Sequence, residues 1–243
     1  MILVLKHYKR GNMAYISHID LLRHFTRTFR RAGFDIEFSS GFNPHMLVNL
    51  GTPLPLGMES SAEYLTVRTD TPKDVFLEEY NRVAPAGLEG IRVFAPLVNP
   101  NIAGRTVAAD YSVKVRGAEN VRREVEAIVN TDTFEMTVTK KGETTVKDVA
   151  PLINGIRFYP DSLNVCLAAG NTTLRADRFL EYLSEKYGFE ADMSTLWKYE
   201  QYVREGGVLL ETDRYLERAE QPLDRINEVA AKSEQPNNEE DGK

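Results

Sequence analysis

Residues 17–33 read SHIDLLRHFTRTFRRAG, and this stretch predicts an amphipathic helix with defined ends. Ser17 can cap the first turn, where Asp20 suits the reciprocal cap and the helix dipole, and Gly33 ends the helix. At roughly 100° per residue, the apolar side chains fall within one arc. They are Leu21, Leu22, Phe25, Phe29 and Ala32. Because this arc must be buried, we expect the helix to pack on a sheet.

Strands and a second helix are predicted around this helix from the periodicity of the apolar residues. In chain order the predicted elements are strand 2–8, helix 18–32, a short strand near 35–38, strand 62–69, helix 72–82 and strand 90–95. This β-α-β-β-α-β order is typical of a ferredoxin-like unit, in which helices cover one face of an antiparallel sheet. We assign this unit to residues 1–100.

A break rich in proline and glycine over residues 96–105 separates a second unit, which we assign to residues 106–190. Its predicted elements are strand 111–116, helix 118–130, strand 133–140, a helical turn near 147–152, strands 155–159 and 162–168, and helix 174–187. The sequence thus predicts an α+β fold with two tandem ferredoxin-like units. We expect a helical extension over 191–220, with helix at about 194–205, and an acidic disordered tail over 221–243.

Composition limits where the protein acts and what it contains. The chain has 243 residues and one cysteine, Cys166, so it can form no internal disulfide and no cysteine-held cluster. Its apolar stretches are all shorter than the roughly 18–20 residues that cross a bilayer. We therefore expect a cytoplasmic protein that is neither secreted nor membrane-spanning and that has no cofactor of its own.

Charge is distributed unevenly along the chain. The formal net charge is −6, yet residues 1–45 carry +4 and the rest carries −10. All four histidines, His7, His18, His24 and His45, also lie in this first segment. An acidic protein is a poor general binder of nucleic acid, but a local basic surface can still bind a polyanion.

Four arginines lie opposite the apolar arc of helix 18–32, namely Arg23, Arg27, Arg30 and Arg31. They form either a solvated outer surface or an anion-binding stripe. The second interpretation is supported because only Asp20 lies close enough in sequence to pair with them. Asp20 and His24 have the spacing of two metal ligands, but two ligands are too few, so we predict a surface pair and no metal.

The segment Ser39–His45 is the most unusual loop in the sequence. Gly41 permits a positive φ, and Asn43 before Pro44 is biased to extended backbone. Phe42 and His45 then flank a tight turn, which predicts a ligand cradle or, alternatively, a rigid turn with Phe42 in the core. A second rigid loop spans 51–57, and Glu63 follows as an exposed edge charge or as an acid turned toward the same cleft.

His18 lies near the apolar arc in the first turn of its helix, so we expect it to point toward the sheet edge, either at a site or as a packing residue. The candidate binding residues share the N-terminal 70 residues. They are Ser17, His18, Asp20, Arg23, Arg27, Arg30, Arg31, Ser40, Gly41, Phe42, Asn43, Pro44, His45 and Glu63.

Four motifs, YISHIDL at 15–21, RRAG at 30–33, SGFNPH at 40–45 and LPLGMES at 54–60, resemble the radical-SAM-linked protein family. Members of that family occur fused to, or encoded beside, cobalamin-binding radical SAM proteins. The resemblance implies a radical SAM enzyme as partner. The order of elements is also similar, in architecture alone, to ferredoxin-like RNA-processing proteins of the CRISPR repeat-cleaving class.

The chain cannot itself be the radical enzyme, because such an enzyme holds its iron–sulfur cluster with three cysteines. The resemblance therefore implies a non-catalytic accessory protein that binds or presents RNA or another phosphate-bearing substrate. One alternative is a metal-independent ribonuclease with His18 and His45 as base and acid, and Arg23 or Arg27 stabilising the transition state. Another is a protein-binding scaffold that uses the acidic second unit and the tail.

Overall fold

The computed structural model describes residues 1–140 and 143–222 as a mixed α+β structure, which confirms the predicted class. The strands are β1 (Ile2–Lys9), β2 (Val48–Leu50), β3 (Glu59–Arg68), β4 (Gly90–Phe94), β5 (Thr106–Arg116), β6 (Glu135–Lys140), β7 (Glu143–Asp148), β8 (Ile153–Phe158), β9 (Ser162–Ala168), β10 (Glu190–Glu205) and β11 (Val208–Glu211). The helices are α1 (His18–Ala32), α2 (Lys73–Val83), α3 (Ile102–Arg105), α4 (Arg122–Ala127), α5 (Ala176–Tyr187) and α6 (Thr212–Ala219). Residues 223–243 of the predicted acidic tail lie outside the described residues.

Strands from both halves of the chain form one sheet, in the order β4-β1-β3-β10-β5-β9-β8. All neighbours are antiparallel except β3 and β10, which are parallel. β11 pairs with β10, while β6 and β7 form a separate hairpin. The α+β class is thus established, whereas the boundaries of two tandem units remain a prediction because the halves share this sheet.

One edge of β3 is shared between two partners. Its C-terminal half pairs with β2, with Val48 opposite Val67, while its N-terminal end pairs with β10, with Trp197 opposite Glu59. The second strand of the first half is therefore β2. The prediction of a strand at 35–38 is wrong, since that segment makes only isolated bridges through Ile36 and Phe38.

α1 and α2 cover one face of the first half of the sheet. Ser17 caps α1, and Gly33 ends it in the left-handed region with φ of 72°, so the predicted helix 18–32 is confirmed. Phe25 and Phe29 are buried against Tyr80 of α2, with ring centroids about 6 Å apart. These aromatic contacts fix the orientation of α1 and leave its arginines on the outside.

The opposite face of the first half is covered by α3 and α6, so β1 is buried on both faces. Val4 and Tyr64 pack there with Ile102 and Leu216. A separate core in the second half joins α4, α5 and the β6–β7 hairpin to β5, β8 and β9, with Phe179 fully buried. No helix in the described ranges is both long and apolar enough to cross a membrane.

The predicted helical extension over 191–220 is wrong for most of its length. Residues 190–205 form β10, and helix is found only in α6. The physical reason is period-two burial, since Leu196 and Lys198 are buried and, after an irregularity near residue 199, Gln201 and Val203 are buried. Two of these four buried side chains are polar, so the periodicity of apolar residues does not show the alternation.

Candidate functional site

The first turn of α1 uses three of the predicted site residues to hold itself together. The Ser17 hydroxyl accepts a hydrogen bond from the Asp20 N–H at 3.1 Å and donates one to the Asp20 carboxylate at 2.8 Å. Arg23 donates to the same carboxylate at 3.0 Å. The bonds from Ser17 and Arg23 lower the pKa of Asp20. These three residues therefore stabilise the helix start, and Arg23 already has a carboxylate partner there.

The remaining arginines of α1 differ in how they are held. Arg31 donates to the Thr28 hydroxyl at 3.2 Å and to the Val83 carbonyl at 3.3 Å, so it ties α1 to the end of α2. Arg27 and Arg30 are exposed, and neither has an ion-pair or hydrogen-bond partner in the described part of the chain. We call Arg23, Arg27, Arg30 and Arg31 the arginine face. Two of its four guanidinium groups are thus unpaired.

The 39–45 loop is a closed turn held by its two ends. The Ser39 N–H donates to the His45 carbonyl at 2.8 Å, and the His45 N–H donates to the Ser39 hydroxyl at 3.1 Å. That hydroxyl also lies 2.9 Å from His45 Nδ1. Gly41 has φ of 125°, which a side chain would oppose. Residues 40–44, which are Ser40, Gly41, Phe42, Asn43 and Pro44, are all exposed at its tip.

Phe42 is 100% exposed, so the alternative that placed its ring in the core is wrong. A fully exposed phenylalanine gains no free energy from burial when the chain folds, so its whole apolar surface is available to a partner. Tyr15, just before α1, is also 72% exposed, although it was not among the candidate binding residues. Two exposed aromatic rings therefore belong to the same N-terminal region as the arginine face.

The structure does not join His18 and His45 as a pair. Both are exposed, and over the described residues no hydrogen bond or ring contact links them. His18 is exposed in the first turn of α1, so the alternative that it is a packing residue is wrong. In the part of the chain that is described, no group of three or more possible protein ligands could hold a metal.

Glu63 is neither an edge charge nor part of the arginine face. It lies in β3, between neighbouring strands, and its carboxylate is 2.6 Å from the ammonium of Lys198 in β10. The two side chains are only 8% and 4% exposed. The alternative of an exposed edge charge is therefore wrong, and Glu63 belongs to a buried cluster that the sequence did not reveal.

This buried charged cluster consists of His7, Lys9, Glu63 and Lys198. Burial lowers the pKa of His7 to about 4, so this imidazole is neutral at pH 7. Lys9 donates to the Ala14 carbonyl at 3.1 Å, and burial lowers its pKa while Glu63 opposes that effect. Two buried ammonium groups therefore share one carboxylate. The signal that could have found Lys198 is the strand-like stretch WKYEQYV at 197–203.

A cavity of about 560 Å³ opens beside this cluster, between the loop at 51–57 and the start of α5. Lys198 and Gln201 of β10 line it together with Tyr111 of β5. The Gln201 carbonyl accepts a hydrogen bond from Lys198 at 3.3 Å, and its amide donates to Thr106 at 2.9 Å. The rigid 51–57 loop, with its prolines, thus forms one wall of a cavity at the centre of the sheet.

Comparison with protein families places the motifs of the N-terminal region in a known group. A family model described as "Uncharacterized protein conserved in bacteria (DUF2344)" matches residues 3–178, which is more than half of the chain. The chain belongs to the DUF2344 family. The matched part includes the arginine face, the 39–45 loop and Glu63 but ends before Lys198. None of the curated proteins compared with this DUF2344 chain matches it.

Proposed function

We propose that this DUF2344 protein binds RNA or another phosphate-bearing substrate through the arginine face and the 39–45 loop, as a non-catalytic accessory protein of a radical SAM system. The observation that carries the proposal is the pair Arg27 and Arg30. Both guanidinium groups are exposed and lack a carboxylate partner within the described residues of a protein whose net charge is negative.

Arg27 and Arg30 are three residues apart on one helix and therefore neighbours on its surface. A guanidinium presents several donors in a plane, which suits the oxygens of a phosphate group. Each phosphate neutralised by such a group releases counterions, so binding should weaken steeply as salt rises. The expected ligand is therefore a polyanion held mainly through its backbone.

Phe42 presents an exposed aromatic ring on which an unpaired base can stack. Stacking of a base on an aromatic side chain contributes about 1–3 kcal/mol and tolerates any sequence. The hydrogen bonds between Ser39 and His45 keep the loop in one shape, which reduces the entropy lost on binding. Single-stranded RNA, whose bases are accessible, is thus favoured over a duplex.

The accessory role rests on the resemblance to the radical-SAM-linked protein family, together with the single cysteine of the chain. The strand orders β4-β1-β3-β2 and β10-β5-β9-β8 support the finer inference that each half is a ferredoxin-like unit. In this arrangement α1 is the first helix of the first unit. Its outer face is then available to a substrate while the sheet joins the two units.

The experiment is filter binding of a single-stranded RNA oligonucleotide at several salt concentrations. The parent should bind weakly with a steep salt dependence. In the double variant Arg27→Ala with Arg30→Ala, the slope of log binding constant against log salt concentration should be shallower by about two released counterions. The matched control is Arg178→Ala with Arg214→Ala, which removes two exposed helical arginines that are paired with Glu181 and Glu211. Equal slopes for both double variants would refute the proposal.

A further inference from the structure

The cavity beside the buried charged cluster has a floor built from two cross-strand pairs. Lys198 lies directly opposite Tyr111, and Gln201 lies opposite Ala109, on either side of a register irregularity in β10. Tyr111 and Ala109 are 7% and 1% exposed. Because Ala109 is small, the space above it stays open between the bulkier polar groups. The cavity is therefore a product of strand register and not of a loose loop.

Polar groups in this cavity are hydrogen-bond donors with spare capacity. An ammonium has three N–H groups; that of Lys198 donates to Gln201 and lies 2.6 Å from a Glu63 carboxylate oxygen, so at least one N–H remains. The Gln201 amide has two, of which one donates to Thr106. Tyr111 is more than nine-tenths buried, and its hydroxyl has no hydrogen-bond partner among the residues described. Burial raises the pKa of this hydroxyl, so it keeps its proton.

The buried charged cluster beside the cavity contains two lysines and one carboxylate. Lys9 and Lys198 are each 3% exposed and both interact with the single carboxylate of Glu63. None of the residues that line the cavity is an aspartate or a glutamate. Arg175, at the rim, is already paired with Asp177. A buried positive charge is costly unless a counter-charge accompanies it.

We infer that this cavity is a binding site for a small organic oxyanion, a carboxylate or phosphate group on an apolar body. The oxyanion accepts from the spare donors of Lys198, Tyr111 and Gln201. Leu54, Pro55 and Met58 line the cavity and contact the apolar body. A volume of about 560 Å³ falls within the usual range of small-molecule sites. This site is separate from the arginine face, so a negative binding result at one site does not refute the proposal for the other.

Isothermal titration of the full-length protein with benzoate, phenyl phosphate and benzamide tests the inference. Benzamide has nearly the shape of benzoate without its charge. Benzoate, phenyl phosphate or both should bind at least about tenfold more tightly than benzamide, and the stronger of the two anions identifies the anionic group. If neither anion binds at least about tenfold more tightly than benzamide, the inference is wrong.

Two variants and two matched controls locate the binding. Tyr111→Phe removes only a hydroxyl that has no partner in the described chain, so the fold is retained, and anion binding should weaken at least about tenfold. Lys198→Met should abolish it. Tyr64→Phe and Lys6→Met alter another buried tyrosine and lysine, which contact Asp213 away from the cavity, and should bind as the parent does. Unchanged binding by Tyr111→Phe would overturn the assignment even if Lys198→Met failed to fold.

Discussion

Replacing Glu63 with Gln removes the one carboxylate that serves two buried ammonium groups. The Glu63–Lys198 pair is 2.6 Å long with both side chains almost fully buried, and Lys9 lies within electrostatic reach. Loss of one partner of a buried pair costs about 3–5 kcal/mol, because the remaining charge is left uncompensated. We therefore expect Glu63→Gln to lower the free energy of unfolding by about that amount.

Lys198→Met should cost less than Glu63→Gln, because Glu63 then keeps Lys9 as its partner. The double variant should be more stable than Glu63→Gln alone, since it leaves only one buried ammonium. Urea denaturation followed by circular dichroism gives the free energy of unfolding of the parent, the two single variants and the double variant. This double-mutant cycle isolates the coupling between positions 63 and 198. Glu79→Gln, which breaks the exposed pair with Arg82, is the control and should cost about 0–1 kcal/mol.

Either of two results would show that Glu63 does not serve both lysines. One is a loss of unfolding free energy in Glu63→Gln no larger than that in Glu79→Gln, which would show that the buried ammonium groups do not need the carboxylate as a counter-charge. The other is a larger loss in Lys198→Met than in Glu63→Gln, which would mean that Lys9 and Glu63 do not interact and that the carboxylate is not shared.

Three further predictions concern other parts of the molecule. The pKa of His7 is lowered from 6.5 to about 4, so the unfolded chain binds a proton at a higher pH than the folded chain does. The free energy of unfolding should therefore fall by about 3 kcal/mol as pH drops from about 6.5 to 4. His7→Phe should show a shallower pH dependence, and an identical one would contradict the assignment. Phe29→Ala should lower stability by about 3–5 kcal/mol, because its ring is fully buried between α1 and α2, and a thermal melt that barely moves would contradict this packing. The parent should leave RNA intact without metal at all pH values, while His45→Ala weakens RNA binding; metal-free cleavage that disappears in His45→Ala would instead establish a ribonuclease.

Local signals were sufficient for α1 and for the general class of fold. The Ser17 cap, the Gly33 stop and the apolar arc all depend on residues within one helix, and each agrees with the structure. The 39–45 loop was likewise predicted as an unusual turn from Gly41 and Pro44. What the sequence left open was whether Phe42 lies inside or outside, because a ring beside a turn can adopt either position.

The centre of the sheet could not be predicted, because its partners are far apart in the chain. β10 lies between β3 and β5, and its inward positions include Lys198 and Gln201, which obscure the apolar alternation. Glu63 could be recognised as buried only once Lys198 was known to be opposite it. The cavity depends on the same long-range pairing, so no local motif indicated it.

The parallel contact between β3 and β10 has a consequence for protein synthesis. Trp197 follows its partner Glu59 by 138 residues, which a ribosome adds in roughly 7 to 28 seconds. During that interval the N-terminal end of β3 has an open edge, and Glu63 lacks Lys198. A shortened chain that ended near Arg178, where the family match stops, would keep that edge open permanently. Such a chain should aggregate, so the pairing of β10 with β3 is the late step that protects the first half of the protein from self-association.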